Sequence, residues 1–532
     1  MRYAHALTWQ GPASAVGSGD FGASDNWVDV DRTATVPGAF NTLVFPSGTY
    51  TITLDQDRQV SEVQARNGNV GHQGRHIDVT LNLNGYTLDV QGGYLAEAVE
   101  GYDNNRYAAL TITNGTFKAL NVDIGPLSDF IQRWTEWIEY AYAFSAGSGS
   151  LSVQGAGASA SVANKVTIAG PFTQLRVADG ATLACGGLWG LATQARKSTY
   201  PADTYDRMRI DFTGAGTIVD LGAGGLNLHR DVDLTISDGA AVTITGAGET
   251  FAPLNIGANV IGRSFERRYG GGTRLIVDNA SLSLTNRAFV VGETYKAQGG
   301  PGASFTLQNN ATLSLLAGVG RFIVGSGRNY AEYNSTNNVL NVLDGSVFDG
   351  EAVQLEVGRY GNASFSGVNV SNATVKCAVV YLGNKQSATC SSNNFLNVSG
   401  AAAKIDVSGT DPTSLQLRTG AQLRFTLPTG GFAQAPITTA GGVHVEPDEL
   451  LYDVDPVKLV IDASAFDPNR VGKRATLISC ATDSTDAFQR LIEHVEFVNL
   501  EEKYCGTLSI KDNGTKFVYA APAFAGTVIT LR

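Results

Sequence analysis

One short phrase recurs along this chain, and any fold must accommodate every copy of it. An alternating apolar strand runs into an Asp/Asn-Gly type corner, a small residue follows, and a second alternating strand leaves. Copies are Leu110-Thr-Ile-Thr-Asn-Gly-Thr-Phe117, Leu175-Arg-Val-Ala-Asp-Gly-Ala-Thr-Leu183, Leu234-Thr-Ile-Ser-Asp-Gly-Ala-Ala-Val242, Phe305-Thr-Leu-Gln-Asn-Asn-Ala-Thr-Leu313 and Leu340-Asn-Val-Leu-Asp-Gly-Ser-Val-Phe348. Looser copies turn at 278, 372 and 399. The corners therefore fall at 114, 179, 238, 278, 309, 344, 372 and 399. The later intervals suit one coil each. The first two are longer and fit either two coils or one coil with an insertion.

Asp and Asn tolerate the left-handed backbone of a sharp corner, and Gly adopts it without steric cost. A single copy reads as a β-hairpin with a two-residue turn. Recurrence changes that reading, because a third strand ending in Gly precedes each restart: Asn255-Ile-Gly257, Val290-Val-Gly292, Ile323-Val-Gly325, Glu356-Val-Gly358 and Tyr381-Leu-Gly383. Three strands per turn predict an all-β chain, a single-stranded right-handed parallel β-helix whose coils stack at about 4.8 Å.

Two stretches leave the pattern. Residues 126–142 carry Leu127, Phe130, Ile131, Trp134, Trp137 and Ile138 at helical spacing. This helical insertion is expected to pack on the solenoid's flank, with Trp134, Trp137 and Tyr140 as an aromatic platform for sugar in the sharper reading. From about 441 the phrase disappears, charge rises, and a helical stretch near Asp486–Glu493 precedes strands ending in Val528–Leu531. The expected organisation is an N-terminal cap with first coils over 1–90, the solenoid over 91–440, and a β-rich capping module over 441–532 that protects an open strand edge.

Composition narrows the function. Apolar residues make up 43% and charged residues 16%, with 62 Gly and only 2 Met, a balance that favours strands and turns. A net charge of -11 and a pI near 5.1 leave no basic field for phosphate, so nucleic acid is not expected as a partner. No apolar run reaches the roughly 20 residues that span a bilayer, so no transmembrane segment is expected. The start, Met1-Arg2-Tyr3-Ala4-His5, lacks a hydrophobic signal, so an exported form is expected to have lost its leader. Five cysteines without paired spacing and 6 histidines offer no metal site, and no cofactor is expected. Cys377 with Cys390, and Cys480 with Cys505, are near enough in sequence to form disulfides, with buried thiols as the alternative. Asn-x-Ser/Thr sequons such as Asn114, Asn372 and Asn397 follow from Asn-rich corners beside Thr-rich strands.

The opening Leu7-Thr-Trp-Gln-Gly11, with Asp25-Asn-Trp27, Val36-Pro-Gly38, Tyr50-Thr-Ile-Thr-Leu-Asp55 and Thr80-Leu-Asn-Leu-Asn-Gly85, resembles the start of large secreted bacterial proteins carrying autotransporter-associated β-strand repeats. The repeat with its terminal Val-Gly is similar to their passenger β-helices. The resemblance implies an extracellular or cell-surface protein, adhesive or structural in most such passengers and enzymatic in some. This chain departs from full autotransporters because nothing after residue 440 reads as a membrane barrel.

An enzyme has to be argued from site residues. A polygalacturonase-like pattern is poorly matched by Asn121-Val-Asp123, Gly71-His72-Gln73-Gly74 and Arg207-Met-Arg-Ile210, and no carboxylate cluster for Ca²⁺-assisted elimination stands out. The informative feature follows each Val-Gly, where the chain leaves for a polar loop. Because the exits share one position in the coil, Arg263, Arg267, Arg268, Tyr269, Tyr295, Lys296, Arg328, Tyr330, Tyr333, Arg359 and Tyr360 are expected to form a ridge. Tyr offers a flat face and Arg a forked donor, so the ridge suits a glycan or a surface protein. The sequence thus predicts a non-catalytic adhesive or structural solenoid, able to self-associate end to end as a fibre subunit. A polysaccharide lyase or hydrolase and a phage tailspike are the alternatives.

Overall fold

In the computed structural model the chain is almost wholly β, and its strands stack in a parallel, solenoid-like arrangement. The structure describes residues 5–11, 17–67, 76–98, 107–125, 148–169, 173–191, 207–229, 231–246, 248–251, 256–264, 272–285, 287–294, 302–316, 318–327, 334–360, 362–383, 393–447, 455–466, 474–499 and 505–521. The expected helical insertion at 126–142, with Trp134, Trp137 and Tyr140, lies outside them, as do the strands expected near Val528–Leu531. Two compact units are formed. The first comprises Met1–Glu249, Asn259–Gly262 and Thr273–Ser283, and the second Thr250–Ala258, Arg263–Gly272 and Leu284–Arg532.

In unit 1 the alternating strands that precede the corners stack without slipping. Tyr50, Val79, Leu110, Leu151, Leu175, Ile210, Leu234 and Leu275 are successive register partners, all buried. Two residues further on, Ile52, Leu81, Ile112, Val153, Val177, Phe212, Ile236 and Val277 form a second buried column. A one-residue slip would turn both columns out to water, so the hydrophobic period fixes the register. At the start of the unit, Trp9 and Trp27 meet edge to face at 5.0 Å, and Trp9 also stacks on Tyr50. Here Trp27–Val28 runs antiparallel to His5–Trp9, which ends the parallel ladder.

Unit 2 repeats the scheme. Phe305, Leu340, Val368, Leu396, Leu423, Leu459 and Val495 pair in sequence, and Leu307, Val342, Val370, Val398, Phe425, Ile461 and Phe497 pair beside them. Its last described coils are closed by three devices. Lys516–Ala520 runs antiparallel to both Arg474–Cys480 and Thr507–Lys511. The helix expected near Asp486 spans Thr485–Glu493 and buries Ala487, Phe488 and Leu491. Ser484, just before it, accepts the Val443 backbone N–H at 3.0 Å.

The corners are corners and not hairpins. The strands flanking Asp179-Gly180, Gln174–Ala178 and Thr182–Leu191, pair with strands of neighbouring coils. Positive φ occurs at Asn114, Asp179, Asp238, Asp344 and Asn372, as the phrase requires. It shifts by one residue to Asn279 and to Gly400, and it covers both Asn309 and Asn310. The two long intervals each hold two coils, since the skipped turns bend at Gly155 and at Gly214 and Gly216.

The cysteines resolve toward thiols. Cys377 and Cys480 are buried thiols, so neither expected bridge is formed, and Cys390 lies outside the described residues. Cys480 Sγ donates to the Thr482 carbonyl at 3.1 Å, and burial pushes the Cys377 thiol up to about 12. Both are packing groups, since the reactive form of a cysteine is the thiolate.

Candidate functional site

The loop exits after the third strands do align. In unit 2, Val291, Val324, Val357 and Leu382 are successive register partners, and each is followed by a glycine with positive φ: Gly292, Gly325, Gly358 and Gly383. Three of these glycines have a second reason to lack a side chain, Gly325 because a Cβ there would run into Ser366. A Cβ on Gly292 would run into Asn338, and one on Gly358 into Asn394. Both asparagines are buried at the starts of the strands Val339–Leu343 and Asn394–Ser399 and tie each to the coil before: Asn338 Oδ1 accepts the Ala303 N–H at 2.9 Å, and Asn394 Oδ1 accepts the Ser366 N–H at 3.0 Å. Buried amides of this kind satisfy backbone donors that have no rung to pair with.

Beyond Gly292 the chain keeps its alignment for a step, and beyond Gly325 it pairs again after a register shift of one residue. Glu293 lies opposite Ser326, and Ser326 opposite Tyr360. Of the expected ridge, Arg263 ends the strand Ile256–Ser264 as its penultimate residue, and Arg359 and Tyr360 end Val347–Tyr360. Arg267, Arg268, Tyr269, Tyr295, Lys296, Arg328, Tyr330 and Tyr333 lie outside the described residues. The structure therefore brings together the roots of the loops.

Those roots hold polar groups that the sequence reading passed over. Glu356 points away from the interior, between inward Leu355 and Val357, yet its exposure is 0%. Arg321, one coil earlier, reaches its Oε1 at 3.3 Å. Glu293 and Ser326 are buried as well. A buried carboxylate is tolerated when an opposite charge and hydrogen bonds compensate its lost hydration. The only sequence signal was a glutamate inside the apolar Glu356-Val-Gly358 phrase.

Unit 1 carries a different polar column on the outer side of its third strands. Asp123, Thr167, Trp189 and Asn227 are register partners in consecutive coils, and Lys165 Nζ sits 4.3 Å above the Trp189 ring. Burial pushes the Asp123 carboxyl above its ordinary range, with the Thr167 hydroxyl and the Lys165 charge working the other way. Asn227 is 1% exposed, and neither of its amide atoms has a hydrogen-bond partner.

Among the described residues no group of three or more His, Cys, Asp or Glu is placed to hold a metal ion, and no helix is long and apolar enough to cross a membrane. No protein-family model, curated protein or solved structure matches this chain.

Proposed function

We propose that this chain is a right-handed parallel β-helix of a bacterial cell surface, similar to passengers with autotransporter-associated repeats, and that it works by contact with glycans or proteins rather than by catalysis. The observation that carries the reading is the alignment of Gly292, Gly325, Gly358 and Gly383 at one edge of consecutive coils. Segments carrying Arg or Tyr follow Gly292, Gly325 and Gly358 in the sequence, and on this reading a shared exit would gather residues that are not neighbours in sequence. Tyr and Arg give large contact area and forked hydrogen bonding for a small loss of side-chain freedom. Right-handedness is supported by the strong bias of crossovers between parallel strands. Among the described residues, antiparallel strands border the parallel ladder at the start of unit 1 and in the last described coils of unit 2, a device that limits pairing through an open edge.

The test is binding of the intact chain to a glycan array and to immobilised surface proteins, for the parent and for a variant with Arg267, Arg268, Tyr269, Arg328 and Tyr330 all changed to Ala. Loss of about tenfold or more in affinity at an unchanged melting temperature is expected, in line with the weight of Tyr and Arg at interfaces. Equal binding by both chains would remove the ridge from the argument. Sedimentation of the same samples separates a fibre subunit from a monomer, and a compact trimer would favour a tailspike.

A further inference from the structure

Along the outer side of the third strands of unit 2, one column can be followed through six coils. Val290, Ile323, Glu356, Tyr381, Gln416 and His444 are successive register partners. The first three are buried, Tyr381 and Gln416 are half-buried, and His444 is exposed. The chemistry changes with the exposure, from aliphatic groups and an ion-paired carboxylate to an aromatic, an amide and an imidazole.

The open end of the column is held in place by its neighbours. The Arg418 guanidinium is forked between Glu446 Oε1 at 3.2 Å and Gln416 Oε1 at 2.9 Å. Gln416 Nε2 in turn donates to Thr413 Oγ1 at 3.1 Å, and Glu446 Oε2 accepts the Thr419 backbone N–H at 3.2 Å. Side chains fixed in this way lose little freedom when a ligand arrives.

We infer that Tyr381, Gln416, Arg418, His444 and Glu446 form a binding site for a neutral saccharide on the face of the coils. Tyr381 supplies an apolar ring surface, and the amide, guanidinium and carboxylate present donors and acceptors side by side, which is what adjacent sugar hydroxyls require. Charge decides between sugar classes. Arg418 and Glu446 cancel each other, and a chain of net charge -11 disfavours the approach of a uronate. The site belongs to the coils, so it stands or falls separately from the Arg/Tyr loops.

Calorimetric titration of the intact chain with cellohexaose, chitohexaose and maltohexaose, with hexagalacturonate as the acidic comparator, tests the assignment. At least one neutral hexasaccharide is expected to bind. Arg418→Ala is expected to weaken that binding about tenfold or more, because charge-assisted hydrogen bonds are the strongest ones lost. His444→Ala, at an exposed position that leaves the fold intact, is expected to weaken it by about threefold. Tyr330→Ala in the loops is expected to leave it unchanged. Should Arg418→Ala fail to fold, Gln416→Glu replaces it, since it keeps the size and turns a neutral acceptor into a charge. The assignment is overturned if no neutral hexasaccharide binds, if only hexagalacturonate binds, if the site variants bind like the parent, or if Tyr330→Ala alone abolishes binding.

Discussion

In unit 2 the strands before the corners and the strands before the glycines present opposite outer faces. The first kind is wet. Thr306, Asn341, Asn369 and Asn397 stack there as a half-exposed ladder, Asn341 Nδ2 reaching Thr306 Oγ1 at 3.1 Å, Asn369 Nδ2 reaching Asn341 Oδ1 at 2.8 Å and Asn397 Nδ2 reaching Asn369 Oδ1 at 3.2 Å. The second kind is dry at one outward position in three successive coils, where Val290, Ile323 and Glu356 are as buried as the interior residues beside them. Part of the cover is visible: Asn334–Thr336 pairs with Asn362–Ser364 as a small separate sheet, and Ser335 Oγ donates to the Gly292 carbonyl at 3.2 Å. A parallel strand alternates between core and water only while one face stays uncovered. Once an outer layer is laid on, the second face becomes core and its polar members need partners, as Glu356 has in Arg321.

The contrast can be broken by putting the same side chain on both faces. Ile323→Asn places an amide in the dry column and leaves a cavity beside it, at a cost of about 4 kcal/mol. Thr306→Asn extends the wet ladder and should stay within about 0.5 kcal/mol of the parent. Urea unfolding of the two variants measures both. Similar losses would mean that the two faces do not differ in the way their burial says.

The wet face was legible in the sequence and the dry face was not. Alternation in Leu340-Asn-Val, together with residues that tolerate positive φ at Asn114, Asp179 and Asp344, is enough to place strands, corners and the inward side. Where the phrase lost its Asp or Asn, at Gly155 and Gly214, the coil was still there but its corner went unread. Outward residues of the third strands carry no such mark. Glu356 in a strand pattern reads as solvated, and only the layer outside it makes it a buried acid. The same limit explains why the loops could be named as candidates while Tyr381, Gln416 and His444 could not. Loops announce themselves by local polarity, whereas these three meet only through a register that spans a full coil at each step.

Unit 1 sharpens the comparison with a dry position that lacks compensation. Asn227 sits on the outer side of the third-strand stack with both amide atoms unsatisfied and almost no exposure. Replacing such a group by an apolar one of similar size removes a desolvation cost without breaking a bond. Asn227→Leu is therefore expected to raise the unfolding free energy by about 1 kcal/mol. A loss of stability instead would show that the amide is bonded in solution and that this column is wetter than its burial indicates.

The smallest effect is expected one end of the same column away, at Asp123. Burial is the main influence on its carboxyl and raises its pKa, so the folded chain holds that proton more tightly than the unfolded chain does. For an acid shifted in this direction the folded state is favoured most at low pH, below the unfolded value. The advantage fades as pH climbs from the ordinary carboxylate range through the raised folded value. Asp123→Asn has no proton to lose. Melting temperatures of variant and parent should thus lie close together in acid, and the variant should move ahead by a small margin as pH rises to neutrality. Thr167 and Lys165 act against burial and keep that margin small. If the gap is constant with pH, Thr167 and Lys165 balance burial at Asp123, and if it widens toward acid they outweigh it; in either case the outer side of the third strands in unit 1 is solvated enough to behave like the wet face.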